Sequence, residues 1–246
     1  MRSLNSLLIT TSNSRSGDTW NRTGVEMDNL AAPYFILKDG GEHITIASPQ
    51  GGPIPLDLNG RSVTERTKDT LRFQKDPQAL YHFFHSLSLS EIRKEDFDLV
   101  FIIGGYGSMW NFPRNRQLKE LLEFAMIRNI PVGIVGHAMV ALVSLTTDKG
   151  TPFVKGRKIT AFSNSEEESA MLTEAMPYQL ESKLVALGAL YSKGPDFESH
   201  VVEDANLVSG QNPASSIDVA RKVLSKARDC KEVSPWHKGE KFFRYR

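Results

Sequence analysis

Residues 131–142 have the sequence PVGIVGHAMVAL, an apolar run that passes through Gly136 into a second apolar segment. Residues 132–135 are almost continuously apolar, as a parallel strand covered on both faces must be. A strand that turns sharply into a helix holds the residue at the turn at the carboxyl end of the sheet. Amide groups at the start of that helix can stabilise an oxyanion there. We therefore expect a functional cleft beside Gly136 and His137.

Short apolar segments alternate with longer amphipathic ones on both sides of this turn. This alternation predicts an α/β protein with a mostly parallel central sheet and helices on both faces. We predict two β-hairpins in addition, one over 154–162 that turns at Lys155-Gly156-Arg157 and one over 201–209 that turns at Asp204-Ala205-Asn206. The predicted strands are 7–11, 43–47, 99–103 and 132–135, and the predicted helices are 24–38, 77–86, 115–128, 137–145 and 214–227.

The composition excludes several classes of protein. The 246 residues carry 30 basic and 29 acidic side chains, so no overall field attracts nucleic acid or an anionic membrane surface. No apolar segment approaches the roughly 20 residues that span a bilayer. A single cysteine, Cys230, cannot form an intrachain disulfide, which favours a reducing, cytoplasmic location. We expect one domain over 1–228, followed by a basic and aromatic C-terminal tail over 229–246.

Several further segments match one known family in unbroken order from about residue 7 to about residue 227. Together they resemble the ThiJ/PfpI superfamily, and in particular its heat-shock chaperone and glyoxalase III-like branch. The resemblance implies a class I glutamine amidotransferase-like fold, which is a flavodoxin-like three-layer sandwich, and it implies a homodimer. Besides the turn at Gly136, the segments are Thr23-Gly24-Val25, Ala47-Ser48-Pro49-Gln50-Gly51-Gly52, Gly104-Gly105-Tyr106-Gly107-Ser108-Met109-Trp110, Phe162-Ser163-Asn164-Ser165-Glu166-Glu167-Glu168 and Ser209-Gly210-Gln211-Asn212-Pro213.

The resemblance also implies where the reactive groups of the family would lie. The family's nucleophilic cysteine falls on Gly136, and the glutamate that lowers the pKa of that thiol falls on Asn29. Glycine carries no nucleophile, and an asparagine amide exchanges no proton at neutral pH. The histidine is retained as His137, which by this reasoning has no acid-base partner. We expect a degenerate site in which Gly105, Tyr106, Gly136, His137 and Asn29 surround a small ligand.

Other residues could in principle supply the missing chemistry. Ser108 lies in the glycine-rich loop, and Asp28 is next to Asn29, but a serine in such a turn more often bonds the local backbone and an early helical aspartate more often complements the helix dipole. Nothing around Cys230 indicates a lowered thiol pKa. His82 and His85 have the i, i+3 spacing of a metal pair, yet no acidic or cysteine ligand accompanies them at fixed spacing, so structural roles are favoured.

These observations favour a catalytically silent family member, a pseudoenzyme. Its expected partners are a small polar metabolite or misfolded protein clients in a chaperone-like stress response, and no cofactor, metal, nucleic acid or membrane is expected. The alternative is a weak or divergent enzyme that uses His137 and a water without a cysteine. It would be either a glyoxalase III-like hydratase of 2-oxoaldehydes or an amidase-like hydrolase. We interpret the acidic run at 166–168 as the first turn of a helix and assign it no catalytic role.

Overall fold

The structure is a computed structural model that describes residues 3–17, 22–57 and 67–233, with the side chains of 231–233 left out. The greater part of the predicted tail, 234–246, lies outside the described residues. The strands are β1 Asn5–Thr10, β2 His43–Ser48, β3 Leu87–Ser88, β4 Leu99–Ile103, β5 Val132–Val135, β6 Lys158–Ile159, β7 Leu190–Tyr191, β8 Val201–Asp204 and β9 Leu207–Gly210. The α-helices are α1 Met27–Asp39, α2 Lys68–Phe73, α3 Pro77–Phe84, α4 Ser108–Asn111, α5 Arg116–Ile127, α6 Asn164–Ser169, α7 Leu180–Ala186 and α8 Ser216–Val233.

Seven strands form one central sheet in the order β3-β2-β1-β4-β5-β9-β8. Every pair of neighbours is parallel except β8 and β9, which form an antiparallel hairpin at one edge. From β1 the chain first builds outward through β2 and β3, and it then crosses back to add β4 and β5 on the other side. The carboxyl ends of β1 and β4 therefore flank the point where the direction of winding reverses, which is where open α/β sheets form clefts.

Helices cover both faces of this sheet, so the predicted flavodoxin-like three-layer architecture is confirmed. Helices α1 and α8 pack on one face, where the core includes Leu8, Tyr34, Phe101 and Val223. Helix α5 covers the other face, where the core includes Ile9, Ile102 and Ile134. Alternate residues of β1 and β4 thus enter opposite layers, as the strand geometry requires.

The amphipathic pattern of α5 shows how the sequence specifies one of these elements. Asn115 caps the helix, since its side chain accepts a 2.7 Å hydrogen bond from the backbone N–H of Leu118. Leu118, Leu121, Leu122 and Ala125 are buried at the i, i+3, i+4 and i+7 spacing of a single helix face. The helix that was expected over 115–128 is therefore confirmed to within one residue at each end.

The structure corrects three of the predictions. Residues 154–162 do not form a hairpin: Lys158–Ile159 pair in parallel with Leu190–Tyr191 in a separate two-stranded sheet, because the chain after the turn at Gly156 leaves in a new direction. The segment after Gly136 is a short 3-10 helix, Gly136–Leu142, instead of an α-helix over 137–145. Helix α8 continues past residue 228, so the proposed boundary between domain and tail falls inside a helix.

Candidate active site

The turn after β5 places Gly136 at the carboxyl edge of the sheet with φ +59°. L-residues with a side chain rarely adopt this left-handed conformation, so glycine relieves strain at this position. A Cβ atom built on Gly136 would meet only the carbonyl oxygen of Gln211, at 3.8 Å. Space for a side chain is thus available above the turn, although glycine does not use it.

His137 follows directly and is buried, with Nε2 3.0 Å from Oε2 and 3.3 Å from Oε1 of Glu167. Glu167 is itself only 1% exposed. Low solvent exposure strengthens such a hydrogen bond, and removing either partner would leave the other buried and unsatisfied, which is costly. The expectation that His137 lacks an acid-base partner is therefore wrong: a carboxylate 30 residues further along the chain lies against its ring.

Helix α6 brings Glu167 to this position, and Ser163 fixes where the helix begins. Ser163 and Glu166 form a reciprocal capping box, with Glu166 accepting from the Ser163 backbone N–H at 3.0 Å. Glu166 also accepts from the backbone N–H of Phe197 at 2.8 Å and from the Asn212 amide at 2.7 Å. The interpretation of 166–168 as a helix start is confirmed, but the same turn also delivers the carboxylate that contacts His137.

Two aromatic rings pack against the imidazole. The centroid of Phe162 lies 4.3 Å from that of His137 at an interplanar angle of 33°, and Tyr106 meets the same ring edge-on at 4.9 Å. These contacts, together with the hydrogen bond between Nε2 and Glu167, fix the orientation of the His137 ring. The pair is thereby held in one arrangement beside the turn at Gly136.

Tyr106 keeps its phenolic proton across the ordinary pH range. Burial raises the pKa of this hydroxyl well above its usual value, and the carboxylates of Glu26, Asp57, Glu167 and Glu166 raise it further. A phenol with a raised pKa remains a hydrogen-bond donor. Tyr106 is therefore suited to donate to a carbonyl or hydroxyl oxygen of a bound molecule.

The glycine-rich loop after β4 brings the start of α1 to the same place. A Cβ atom on Gly105 would collide with the carbonyl oxygen of Gly24, so only glycine allows the loop to pack against the chain that leads into α1. Asn29 is 5% exposed, and its Oδ1 accepts from the hydroxyl of Ser216 at the start of α8, at 3.5 Å. Glu26 immediately precedes the helix.

These elements border a small cleft that is partly open to solvent and offers about 10 Å³ to the centre of a water molecule. All five residues predicted to surround a ligand line it. Sequence reasoning missed the other lining residues, because nothing in a local pattern shows that Glu26, Phe162 and Pro213 converge. The complete lining consists of Glu26, Asn29, Gly104, Gly105, Tyr106, Val135, Gly136, His137, Phe162 and Pro213.

The three other residues considered as substitutes for the missing groups, Ser108, Asp28 and Cys230, do not line the cleft. The hydroxyl of Ser108 donates to the carbonyl of Gly105 at 2.8 Å, which is the local backbone bond that was expected of it. Asp28 accepts from the hydroxyls of Thr67 and Thr70. Cys230 is exposed and lies within α8. The sequence had predicted that it lies beyond the last helix, which was expected to end at residue 227.

His82 lies in α3 and His85 follows its last residue, and each imidazole packs against aromatic rings. His85 stacks on the Tyr81 ring at 4.6 Å, and its Nδ1 lies 3.0 Å from the Tyr81 carbonyl. His82 instead meets Tyr34 edge-on at 6.1 Å. Over 3–17, 22–57 and 67–233, no group of three or more histidine, cysteine or acidic side chains is arranged to hold a metal ion.

Comparison with known proteins identifies the family. The model of the DJ-1/PfpI family matches residues 22–226. The chain belongs to the DJ-1/PfpI family. This confirms the resemblance to the ThiJ/PfpI superfamily on which the site alignment depends.

Relatives within this family include proteins named as glyoxalases. The chain is 26% identical over 233 residues to "Glyoxalase 3" of Candida albicans, covering 89% of this chain and 96% of that protein. It is 30% identical over 148 residues to "Probable glutathione-independent glyoxalase hsp3103" of Schizosaccharomyces pombe, of whose length this match covers 57%. The crystal structure of the rapid encystment protein of Francisella tularensis superposes with a TM-score of 0.87 at 31% identity, over 91% of this chain and 99% of that one.

Proposed function

We propose that this protein is a divergent, thiol-independent glyoxalase III-like hydratase that converts small 2-oxoaldehydes into 2-hydroxy acids. One observation carries the proposal. His137 lines the cleft beside Gly136, the position that aligns with the family's cysteine, and it bonds to the buried carboxylate of Glu167. The relatives named as glyoxalases support this enzymatic alternative over the catalytically silent protein that the sequence favoured.

The chemistry needs a base and an acid, and it can proceed without a thiol. Methylglyoxal in water adds a water molecule at its aldehyde carbon to give a hydrate. Removal of the hydrogen on that carbon as a proton, followed by return of a proton to the neighbouring ketone carbon, gives lactic acid. The aldehyde carbon is oxidised and the ketone carbon is reduced, so no external oxidant or reductant is required.

In this scheme His137 removes and returns the proton, and Glu167 stabilises the imidazolium that forms between the two steps. Tyr106, whose hydroxyl stays protonated, donates to the ketone oxygen as charge develops on it. Gly136 places no side chain above the turn, which leaves the position of a Cβ atom open to the hydrate. We expect turnover to be slow, because a covalent thiol adduct would divide the reaction into easier steps and none can form here.

A second candidate function follows from the same turn. Gly136 offers no nucleophile, which favours a silent protein that binds a small polar metabolite in the cleft or acts on misfolded clients as a chaperone.

The homodimer and the cytoplasmic location remain predictions. Among the described residues, no helix has the length and apolar character needed to span a membrane.

The decisive experiment measures lactate formed from methylglyoxal by the purified full-length chain. Glu167→Gln keeps the shape of the side chain but carries no negative charge to stabilise the protonated imidazole of His137. We therefore expect kcat to fall by about 100-fold or more. Glu168→Gln is the matched control, because Glu168 is the next residue on the same helix and is exposed.

Equal lactate formation by the wild type and Glu167→Gln would overturn the hydratase proposal and leave the silent protein. That second candidate has its own test, the suppression of aggregation of an unrelated heated protein at equimolar ratio. Absence of suppression would remove the chaperone-like role.

A further inference from the structure

A second buried carboxylate, that of Glu166, lies directly before Glu167 in α6. Neither side chain is more than 1% exposed. Adjacent residues of a helix project about 100° apart, so the two carboxylates meet different neighbours. Glu167 bonds to His137, whereas the hydrogen bonds of Glu166 join three other segments of the chain. The proposed chemistry uses Glu167 and leaves Glu166 as a buried acid without an assigned role.

Within the described chain, the Glu166 carboxylate has three hydrogen-bond partners, and each of them is an N–H group. Its Oε2 atom accepts from the backbone N–H of Ser163 at 3.0 Å. Its Oε1 atom accepts from the backbone N–H of Phe197 at 2.8 Å and from the side-chain amide of Asn212 at 2.7 Å. An ionised carboxylate fits this set of donors, because it accepts at both oxygens and donates nothing.

The bond to Phe197 holds a residue in a strained conformation. Phe197 has φ +60°, in the left-handed region that residues with a bulky side chain rarely adopt. Such a conformation persists only where the surrounding structure fixes it, and the Glu166 carboxylate fixes the N–H group of this residue. The Phe197 ring packs against Phe162 with 6.3 Å between centroids, and Phe162 packs in turn against the imidazole of His137. Glu166 therefore helps to place the aromatic part of the cleft wall.

The bond that Asn212 donates fixes a further part of that wall. The same buried amide also donates to the carbonyl of Glu198 at 2.7 Å, so it joins α6 to the loop between β7 and β8. Its neighbours in the sequence border the turn at Gly136. Pro213 lines the cleft, and the Gln211 carbonyl oxygen is the atom that a Cβ built at the turn would meet. One carboxylate thus ties the helix that carries the acid-base partner to the wall beside the turn.

We propose that Glu166 is a positioning residue, which fixes Glu167 against His137 and fixes the cleft wall around that pair. It acts through these neighbours and not on the substrate itself. This inference rests on the proposed function, because it takes the same pair as the acid-base groups. A residue needed only for folding would change the free energy of unfolding and leave kcat and the imidazole of the folded protein unchanged.

The test replaces Glu166 with glutamine in the full-length protein. Glutamine has nearly the same shape and still suits a capping box, but its NH2 group must face at least one N–H donor where the carboxylate offered an acceptor. Two quantities are measured below the unfolding temperature of each variant. They are kcat for lactate formation from methylglyoxal and the imidazole nitrogen chemical shifts of His137, which are assigned with the help of His137→Gln.

We expect Glu166→Gln to lower kcat by about tenfold or more, because small displacements of an acid-base pair are costly to the rate. The His137 signals should move toward those of Glu167→Gln, in which the same hydrogen bond is weakened. Glu168→Gln is the matched control, since Glu168 follows on the same helix and is exposed, and it should change neither quantity.

Asn212→Leu is a second variant, which decides the question by the same two measurements if Glu166→Gln does not fold. It removes the amide that donates to Glu166 and leaves the carboxylate its two backbone partners. We therefore expect changes in the same direction and of smaller size.

In a protein that forms lactate, unchanged His137 signals or an unchanged kcat in Glu166→Gln would overturn the proposal, and so would an equal change in Glu168→Gln. If the wild type forms no lactate, movement of the His137 signals in Glu166→Gln alone would support the positioning role and only the hydratase proposal would fall. Lactate formation that depends on Glu167, together with wild-type kcat and signals in Glu166→Gln, would do the reverse.

Discussion

Two histidines of this protein, His137 and His82, differ in what the fold places beside them. His137 is buried, bonds to Glu167 and lines an open cleft. The Nδ1 atom of His82 is also buried, but it has no hydrogen-bond partner among the described residues, and its ring packs against Tyr34. Burial lowers the pKa of His82, and the charge of Lys38 lowers it further.

The comparison teaches that burial alone does not make a histidine functional. An imidazole that lacks a carboxylate partner is held neutral and acts as a packing group. One that has a buried partner and access to a cleft can accept a proton and return it. His137 follows Gly136 and His82 follows Tyr81, and the surroundings that the fold supplies separate their roles.

The largest expected effect comes from making the same substitution at both positions. His137→Gln should lower kcat for methylglyoxal by about 100-fold or more, because the amide cannot carry the proton. His82→Gln should leave kcat unchanged. Lactate formation by the two variants at equal concentrations is the measurement, and a comparable loss in His82→Gln would break the distinction between the two sites.

A smaller effect is expected from restoring a side chain at the turn. Gly136→Cys, made together with Cys230→Ser, should react with iodoacetamide, because the Cβ position is open except for the Gln211 carbonyl. It should also lower the free energy of unfolding by about 1–2 kcal/mol, since cysteine must adopt the left-handed conformation at φ +59°.

The further replacement Asn29→Glu sharpens this test. If the shell around the turn is intact, the added glutamic acid, when protonated and donating a hydrogen bond to the sulfur, should favour the thiolate and increase the rate of alkylation at neutral pH. An unreactive thiol in both variants would mean that more than one side chain separates this cleft from a thiol site.

The smallest effect is the pH dependence that His82 gives to stability. Because the folded-state pKa of His82 is lowered, the unfolded chain binds the proton first as the pH falls below about 6.5, and the folded state loses stability there. His82→Gln cannot titrate, so the wild type should lose less than about 1 kcal/mol relative to this variant between pH 7.5 and about 5.5. Urea unfolding at the two pH values measures this difference, and an increase in the relative stability of the wild type would contradict the sign.

Much of the sheet could be predicted because its strands carry their own signal. The apolar runs at Leu99–Ile103 and Val132–Val135 are buried throughout, because a strand that is covered on both faces needs apolar side chains on both faces. The hairpin at 201–209 was also predicted correctly, with Ala205 at φ +52° in its turn. The segment 154–162 was not, because a glycine turn shows that the chain changes direction but not which strand it meets afterwards.

The candidate site divides in the same way. The motif alignment brought Gly136, His137, Tyr106 and Asn29 together, because each follows a strand or begins a helix at one edge of the sheet. It did not find Glu167, since three consecutive glutamates at a helix start look alike and only packing buries the second of them against an imidazole.

The sequence alone determined the layered fold and the family, and it predicts a missing nucleophile at Gly136, because periodicity, glycine positions and residue identity are local properties. The tertiary structure decided that His137 has a partner and that Glu26 enters the cleft wall. Contacts between residues distant along the chain depend on how helices pack against the sheet, and no local pattern encodes them. Those contacts convert an apparently silent turn into a candidate acid-base site.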